Sequence, residues 1–79
     1  MTVRAFILIQ TEVGKAASVS AEIRTIPGIE TSDDVTGPYD VIARATTESI
    51  EELGRVVVNR IQLIEGIQRT LTCPIVSVE

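Results

Sequence analysis

The chain begins with a period of two and then changes to a helical spacing. In residues 3–10 the aliphatic positions Val3, Ala5, Ile7 and Ile9 alternate with a second set, Arg4, Phe6, Leu8 and Gln10. A period of two predicts a β-strand with one buried face. From about Lys15 to Thr25 the spacing becomes three and four, which predicts a helix whose buried stripe is Ala16, Val19, Ile23 and Ile26. Pro27 and Gly28 end that helix.

The second half of the chain repeats the first. The segment Ile23-x-x-Ile26-Pro27-Gly28-Ile29 recurs as Ile61-x-x-Ile64-Glu65-Gly66-Ile67. The shared glycine position makes this more than a coincidence of aliphatic residues. Each half is therefore expected to contain a strand, a helix and a second strand.

The remaining elements follow from the same patterns. Ile29 to Val35 is polar and predicts an edge strand, and Thr36-Gly37-Pro38 predicts the turn between the halves. Tyr39 to Thr46 predicts the third strand, and Thr47 is a candidate cap for the second helix. Ile67 to Cys73 predicts the last strand, which Pro74 ends, and Ile75 to Val78 is expected to extend along a neighbour. The second helix has a predicted buried stripe of Ile50, Leu53, Val57, Ile61 and Ile64.

The order βαββαβ predicts an α+β fold of the ferredoxin-like type. It forms one domain over residues 1–79, a four-stranded antiparallel sheet with two helices on one face. The other face carries Phe6, Leu8 and Ile42, an apolar patch that a small domain would cover with another molecule. We therefore expect a homodimer through that face, which also adds buried area to a core of only 79 residues.

Composition excludes several classes of partner. The net charge is −4 with 7 Lys and Arg against 11 Asp and Glu, so direct binding of nucleic acid is not expected. The single cysteine forms no disulfide within one chain, and no apolar run is long enough to span a membrane. No signal-peptide pattern begins the chain. The expected location is the cytoplasm.

Catalytic, metal and cofactor chemistry are not favoured by the residue types present. The chain has no histidine, so the usual proton shuttle near neutral pH is missing. Cys73 lacks an activating partner and is interpreted as a buried structural thiol. Asp33 and Asp34 are adjacent, point to opposite faces of a strand and lack further oxygen ligands, which argues against a metal site. We expect neither an enzyme nor a bound cofactor.

The turn before the third strand is the strongest candidate for ligand binding. Val35-Thr36-Gly37-Pro38-Tyr39-Asp40 could be a plain turn, but that does not explain Tyr39 and Asp40 at the start of the strand. Gly37 allows the backbone to approach a small ligand. Free turn amides can bind a carboxylate and Asp40 can bind an ammonium group. These are the two charged ends of a free amino acid.

Three segments together resemble a known family. They are Ile26-Pro27-Gly28-Ile29, Thr36-Gly37-Pro38-Tyr39-Asp40-Val41-Ile42-Ala43 and Gly66-Ile67-Gln68-Arg69-Thr70-Leu71-Thr72. In order and spacing they are similar to the effector-binding domain of the Lrp/AsnC regulators, called RAM for regulation of amino-acid metabolism. The resemblance extends from Val3 to about Val78. Full-length regulators also carry an N-terminal helix-turn-helix domain, so the chain resembles the stand-alone form of the module.

The resemblance implies an assembly and a site. It implies dimers through facing sheets and rings of four or five dimers, hence an octamer or decamer. It also implies that a small effector, usually an amino acid, binds between dimers near the Gly-x-x-Asp turn. The implied ligand-binding residues are Thr36, Gly37, Pro38, Tyr39 and Asp40, with Arg69, Thr70 and Thr72 of the last strand supplied in some cases by an adjacent subunit.

The leading hypothesis is therefore an amino-acid-sensing oligomerisation module of the Lrp/AsnC type that acts without its own DNA-binding domain. Full-length regulators of the same family are candidate partners in mixed rings. Two alternatives remain open from the sequence. A small dimeric ferredoxin-like enzyme would need an enclosed pocket between helices and sheet, and a purely structural oligomerisation module would respond to no metabolite.

Overall fold

The computed structural model describes residues 2–76 and confirms the predicted order of elements. The prediction for Ile75 to Val78 lies partly outside these residues. The elements are β1 (Val3–Thr11), α1 (Ala16–Ile23), β2 (Ile29–Asp34), β3 (Val41–Thr47), α2 (Ile50–Val56) and β4 (Ile67–Pro74). A π-helical turn, Val57–Ile61, continues α2 directly.

The four strands form one antiparallel sheet in the order β2-β3-β1-β4. The long strands β1 and β3 pair at the centre, where Ile7 lies opposite Ala43. The polar strand β2 is at one edge, as its acidic residues predict. Strand β4 is at the other edge and ends at Pro74, a residue that cannot donate a ladder hydrogen bond.

The core lies between the sheet and the two helices. Alternate residues of β1 and β3 point toward the helices and are buried, because successive side chains of a strand point to opposite faces. The helices contribute the apolar positions that the helical spacing predicts. The buried apolar residues are Ala5, Ile7, Ile9, Val19, Ile23, Ile26, Val41, Ala43, Ala45, Leu53, Val57, Ile61 and Ile64.

The start of α2 corrects two predictions. Ile50, placed in the buried stripe, is 56% exposed. Thr47 does not cap α2 but is the last residue of β3, and its hydroxyl donates to the carbonyl of Ser49 at 2.9 Å. Ser49 is the cap, and its Oγ accepts from the amide of Glu52 at 3.1 Å. Either hydroxyl suits a cap, but Ser49 is the residue in extended conformation directly before α2.

The sheet face opposite the helices, called the outer face below, is only partly covered. Phe6 is 42% exposed and Leu71 48%. Leu8 pairs with Ile42 on one side and Leu71 on the other, which gathers the apolar residues at the centre of the face. Cys73, opposite Phe6, is half-buried rather than fully buried as predicted.

Candidate functional site

The turn that joins β2 to β3 is open to solvent. Thr36, Gly37 and Pro38 are exposed, whereas Tyr39 and Asp40 are half-buried. Gly37 has φ +147°, and a Cβ built on it meets nothing within 4 Å. The turn thus presents backbone toward open space, with an unusual conformation at its glycine.

Asp40 fixes the turn to the end of β1. Its amide donates to the carbonyl of Ile9 at 2.9 Å, and its Oδ2 accepts the amide of Thr11 at 2.8 Å. The carbonyl of Asp40 also accepts the amide of Val35 at 2.9 Å, which closes the turn. Oδ2 of Asp40 therefore has a structural role, and the carboxylate as a whole can still accept further hydrogen bonds.

Gln10 links the turn between β2 and β3 to β4, the strand at the opposite edge of the sheet. Its Nε2 donates to the carbonyl of Pro38 at 3.0 Å, and its backbone lies opposite Arg69 of β4. The sequence analysis did not single out Gln10. Its position on the outer face of β1, opposite a predicted site residue, becomes visible only with the register of the strands.

A second polar cluster lies at the start of β4. A surface pocket of about 340 Å³ is lined by Gln62, Ile67, Gln68, Arg69 and Thr70. Gln62 Nε2 donates to Thr70 Oγ1 at 3.1 Å, which joins the end of the second helix to the strand. Arg69 gives the pocket a positive charge. Gln62 and Gln68 are lining residues that sequence reasoning missed, because glutamines in a turn and on an edge strand carry no signal of their own.

The predicted site residues therefore form two groups within one chain. Arg69 and Thr70 line the pocket, whereas Thr72 lies farther along β4 opposite Ile7. The turn residues are not among those lining the pocket. Both groups nevertheless lie at the same end of the sheet, since Ile9 pairs with Val41 on one side and with Thr70 on the other. Two strand spacings separate them, about 10 Å.

Metal binding has no support in the described residues. Within residues 2–76, no three carboxylate or cysteine side chains are grouped so as to hold a metal ion. The same part of the chain contains no helix long and apolar enough to cross a membrane.

Comparison with known proteins gives a consistent result over nearly the whole chain. The model of the Lrp/AsnC ligand binding domain matches residues 4–78. An uncharacterised HTH-type transcriptional regulator of Pyrococcus abyssi is 32% identical over 75 residues, which make up 95% of this chain and 48% of the regulator. The chain thus spans about half the length of the curated relatives it matches.

Solved structures agree with this result. A protein of Thermus thermophilus has a TM-score of 0.91 at 31% identity, over 98% of this chain and 96% of that one. A transcriptional regulator of Neisseria meningitidis, solved as a complex with L-Met, has a TM-score of 0.82 over 95% of this chain and 50% of its own; at 19% identity this shows the shared fold. The matched model describes ligand binding and the relatives are named transcriptional regulators, so the chain is a regulatory module and not an enzyme. It belongs to the Lrp/AsnC ligand-binding domain family.

Proposed function

We propose that this domain senses a free amino acid at the end of the sheet where the turn and the β4 pocket lie. The observation that carries the proposal is that residues of opposite charge lie at this end of the sheet, Asp40 just before β3 and Arg69 on β4, two strand spacings away. A zwitterion needs one group of each sign. The L-Met bound to the Neisseria meningitidis regulator supports an amino acid as the ligand class.

Each end of the ligand has a partner in this proposal. Asp40 accepts the ammonium group, because the amide of Thr11 occupies Oδ2 and Oδ1 can accept a further donor. The carboxylate is bound by turn amides beside Gly37, where a side chain would stand in the approach path. Arg69, from the same chain or from a neighbouring copy, adds a positive charge for the ligand's carboxylate. Thr70 contacts the rest of the ligand, and Thr72 lies farther from it.

Assembly of copies is the second part of the proposal. The outer face carries Phe6 and Leu71, each more than two-fifths exposed, around half-buried Leu8 and Ile42. A second copy packed face to face would remove these side chains from water. Charged side chains lie beside these residues on the β2 side of the face, where Glu30 Oε1 lies 3.4 Å from Arg44 Nε. Dimers built this way then join into larger rings.

A ligand that binds between copies can regulate how the copies assemble. A ligand that binds the assembled state alone stabilises it by about 2.7 kcal/mol at one hundred times its Kd. Such a shift changes ring size or the choice of partner when the two states bind the ligand differently. Regulation would reach DNA through full-length regulators that share this domain, because a net charge of −4 does not favour direct contact with phosphates.

Asp40→Asn tests the site without removing its structural hydrogen bond. The amide oxygen of asparagine still accepts from Thr11, whereas the charge that holds the ammonium group is lost. We expect titration calorimetry with L-methionine and then the other common amino acids to show binding to the wild type. In Asp40→Asn the affinity falls about tenfold or more, the scale of a hydrogen bond to a charged group.

The matched control is Glu22→Gln, which makes the same charge change at an exposed position on α1. It should leave affinity unchanged. Equal affinities for wild type and Asp40→Asn would remove Asp40 from the site. If no amino acid changes the calorimetric signal, the melting temperature or the masses of native assemblies, the domain is a structural oligomerisation module instead.

A further inference from the structure

A further pocket, called the helix pocket below, lies on the second helix. It has a volume of about 250 Å³, and its lining residues are Glu52, Arg55, Val56, Asn59 and Arg60. None of these residues belongs to the turn between β2 and β3 or lines the β4 pocket, so the helix pocket is separate from the proposed amino-acid site. The chain has 7 Lys and Arg against 11 Asp and Glu, so two arginines at one pocket are a local excess of positive charge.

The π-helical turn explains why two arginines five residues apart line the same pocket. In an α-helix, residues three or four apart lie on one side, and a residue five positions later is turned away. A π-helix instead bonds residues five apart, as where the amide of Gln62 donates to the carbonyl of Val57 at 2.9 Å. The wider turn therefore brings Arg60 to the side of the helix that carries Arg55. Single π-helical turns occur frequently at functional sites.

The acidic residues nearby do not neutralise the two arginines. Within residues 2–76, the one ion pair joins Arg44 to Glu30, on the sheet. Glu52, the acidic residue of the helix pocket, is held in the cap of α2, where its Oε1 accepts the amide of Glu48 at 2.9 Å. Both guanidinium groups of the pocket are exposed and can donate to a ligand.

We propose that the helix pocket binds the phosphate group of a small metabolite. A phosphate monoester carries a charge of about −1.5 to −2 near neutral pH, which matches two arginines. The planar guanidinium group donates two parallel hydrogen bonds to phosphate oxygens, so Arg55 and Arg60 can hold one phosphate together. The side-chain amide of Asn59 adds a further donor, and half-buried Val56 gives the rest of the ligand an apolar surface.

A small ligand fits the helix pocket better than a nucleic acid does. The net charge of −4 opposes a polymer of phosphates, whereas a single phosphate needs only the local charge of the pocket. A volume of about 250 Å³ accommodates a phosphate group and the part of the metabolite next to it. The domain would thus receive a second small-molecule signal besides the amino acid.

Titration calorimetry with AMP and adenosine tests whether the phosphate is recognised. At low ionic strength, where screening is weak, AMP should bind and adenosine should not. Arg55→Gln and Arg60→Gln should each lower the affinity for AMP about tenfold, the scale of a hydrogen bond to a charged group. Inorganic phosphate and ribose 5-phosphate identify the source of the phosphate, since the natural ligand class is the one that binds most tightly. Adenosine binding as tightly as AMP, or no binding of any of the three phosphates, overturns the proposal.

Two further variants separate the helix pocket from the overall charge of the chain. Glu52→Gln keeps an acceptor for the amide of Glu48 and removes a negative charge from the pocket, so the affinity for AMP should rise severalfold. Lys15→Gln removes a positive charge at an exposed position before α1 and should leave the affinity unchanged. If Lys15→Gln weakens binding as much as Arg60→Gln, AMP responds to net charge and the proposal is wrong. Because the two sites share no residue, the titration with L-methionine has no bearing on this result.

Discussion

The two halves of the chain agree most closely where each helix ends. Gly28 has φ +96° and Gly66 has φ +101°, both in the left-handed region. The carbonyl of Gly28 accepts the amide of Thr46 near the end of β3, and the carbonyl of Gly66 accepts the amide of Glu12 just after β1, both at 2.7 Å. In each half, the turn between the helix and the following strand is therefore hydrogen-bonded to the end of a central strand of the sheet in the same way.

The halves differ at the start of their helices. The repeat places the counterpart of Ala16 at Gly54, whereas α2 begins at Ile50, one turn earlier. The second helix also continues through a π-helical turn, in which the amide of Gln62 donates to the carbonyl of Val57 at 2.9 Å. Most core positions are thus shared by the halves, and the added turn contributes Leu53 to the core while its Ile50 stays exposed. A duplicated pattern predicts the core but not the surfaces that distinguish one half from the other.

Substitution of the buried isoleucines gives the largest expected effect. Ile23 and Ile61 are equivalent in the repeat and both are fully buried, so Ile23→Ala and Ile61→Ala should each lower the free energy of unfolding by about 2–5 kcal/mol. Ile50→Ala lies in the added turn and should lower it by less than about 0.5 kcal/mol. Urea unfolding measures the free energy of unfolding of the three variants, at a protein concentration where all three are in the same assembly state. If Ile50→Ala lowers the free energy of unfolding as much as the other two substitutions do, Ile50 belongs to the core, as the sequence predicted.

The fold was predictable because strands and helices leave different signals in the sequence: a period of two for a strand, and spacings of three and four residues for a helix. The segment ending at Ile26 matches the helical signal, and Val3 to Ile9 reads as a strand with one face fully apolar and Phe6 and Leu8 on the other. Ile50 was misplaced because it continues the helical spacing, and spacing does not tell whether the sheet reaches that turn. Thr47 was predicted as the cap because threonine is a good cap residue, but the boundary between β3 and α2 lies two residues later, and Ser49 holds that place.

The candidate site was only partly predictable. The turn around Gly37 carries a local signal, since glycine and proline mark a change of direction. The pocket at β4 depends on Gln62 reaching Thr70, a contact between elements whose relative position no local pattern fixes. The carboxylate of Asp40 was assigned to a ligand, and its bond to the amide of Thr11 became evident only from the register of β1 and β3.

Alanine substitutions at Gly28 and Gly66 allow a finer comparison of the turns that follow the two helices. Alanine in the left-handed region costs about 1–2 kcal/mol, and crowding adds to this. A Cβ on Gly66 would lie 3.1–3.3 Å from side-chain atoms of Lys15 and Val19, whereas on Gly28 it would lie 3.2 Å from one carbonyl oxygen. We expect Gly66→Ala to lower the free energy of unfolding by about 2–4 kcal/mol and Gly28→Ala by about 1–3 kcal/mol.

Gly14→Ala is the control for that series. Gly14 has φ +81°, but a Cβ added there would meet no atom within 4 Å, so only the backbone cost of about 1 kcal/mol applies. Thermal unfolding of the three alanine variants should place them in the order Gly66, Gly28, Gly14. If Gly14→Ala is as destabilising as Gly66→Ala, crowding by Lys15 and Val19 does not contribute to the cost at Gly66.

The smallest expected effect concerns the helix starts. Ser49 accepts the amide of Glu52 at 3.1 Å, so Ser49→Ala leaves an amide at the start of α2 without that partner and should lower the free energy of unfolding by about 1 kcal/mol. Ser18, in the first turn of α1, instead donates to the carbonyl of Lys15 at 3.1 Å. Ser18→Ala should be neutral or slightly stabilising, because alanine is the better helix former and no amide loses an acceptor. Chemical unfolding that shows equal losses for the two serines would mean that the added turn of α2 does not depend on its cap.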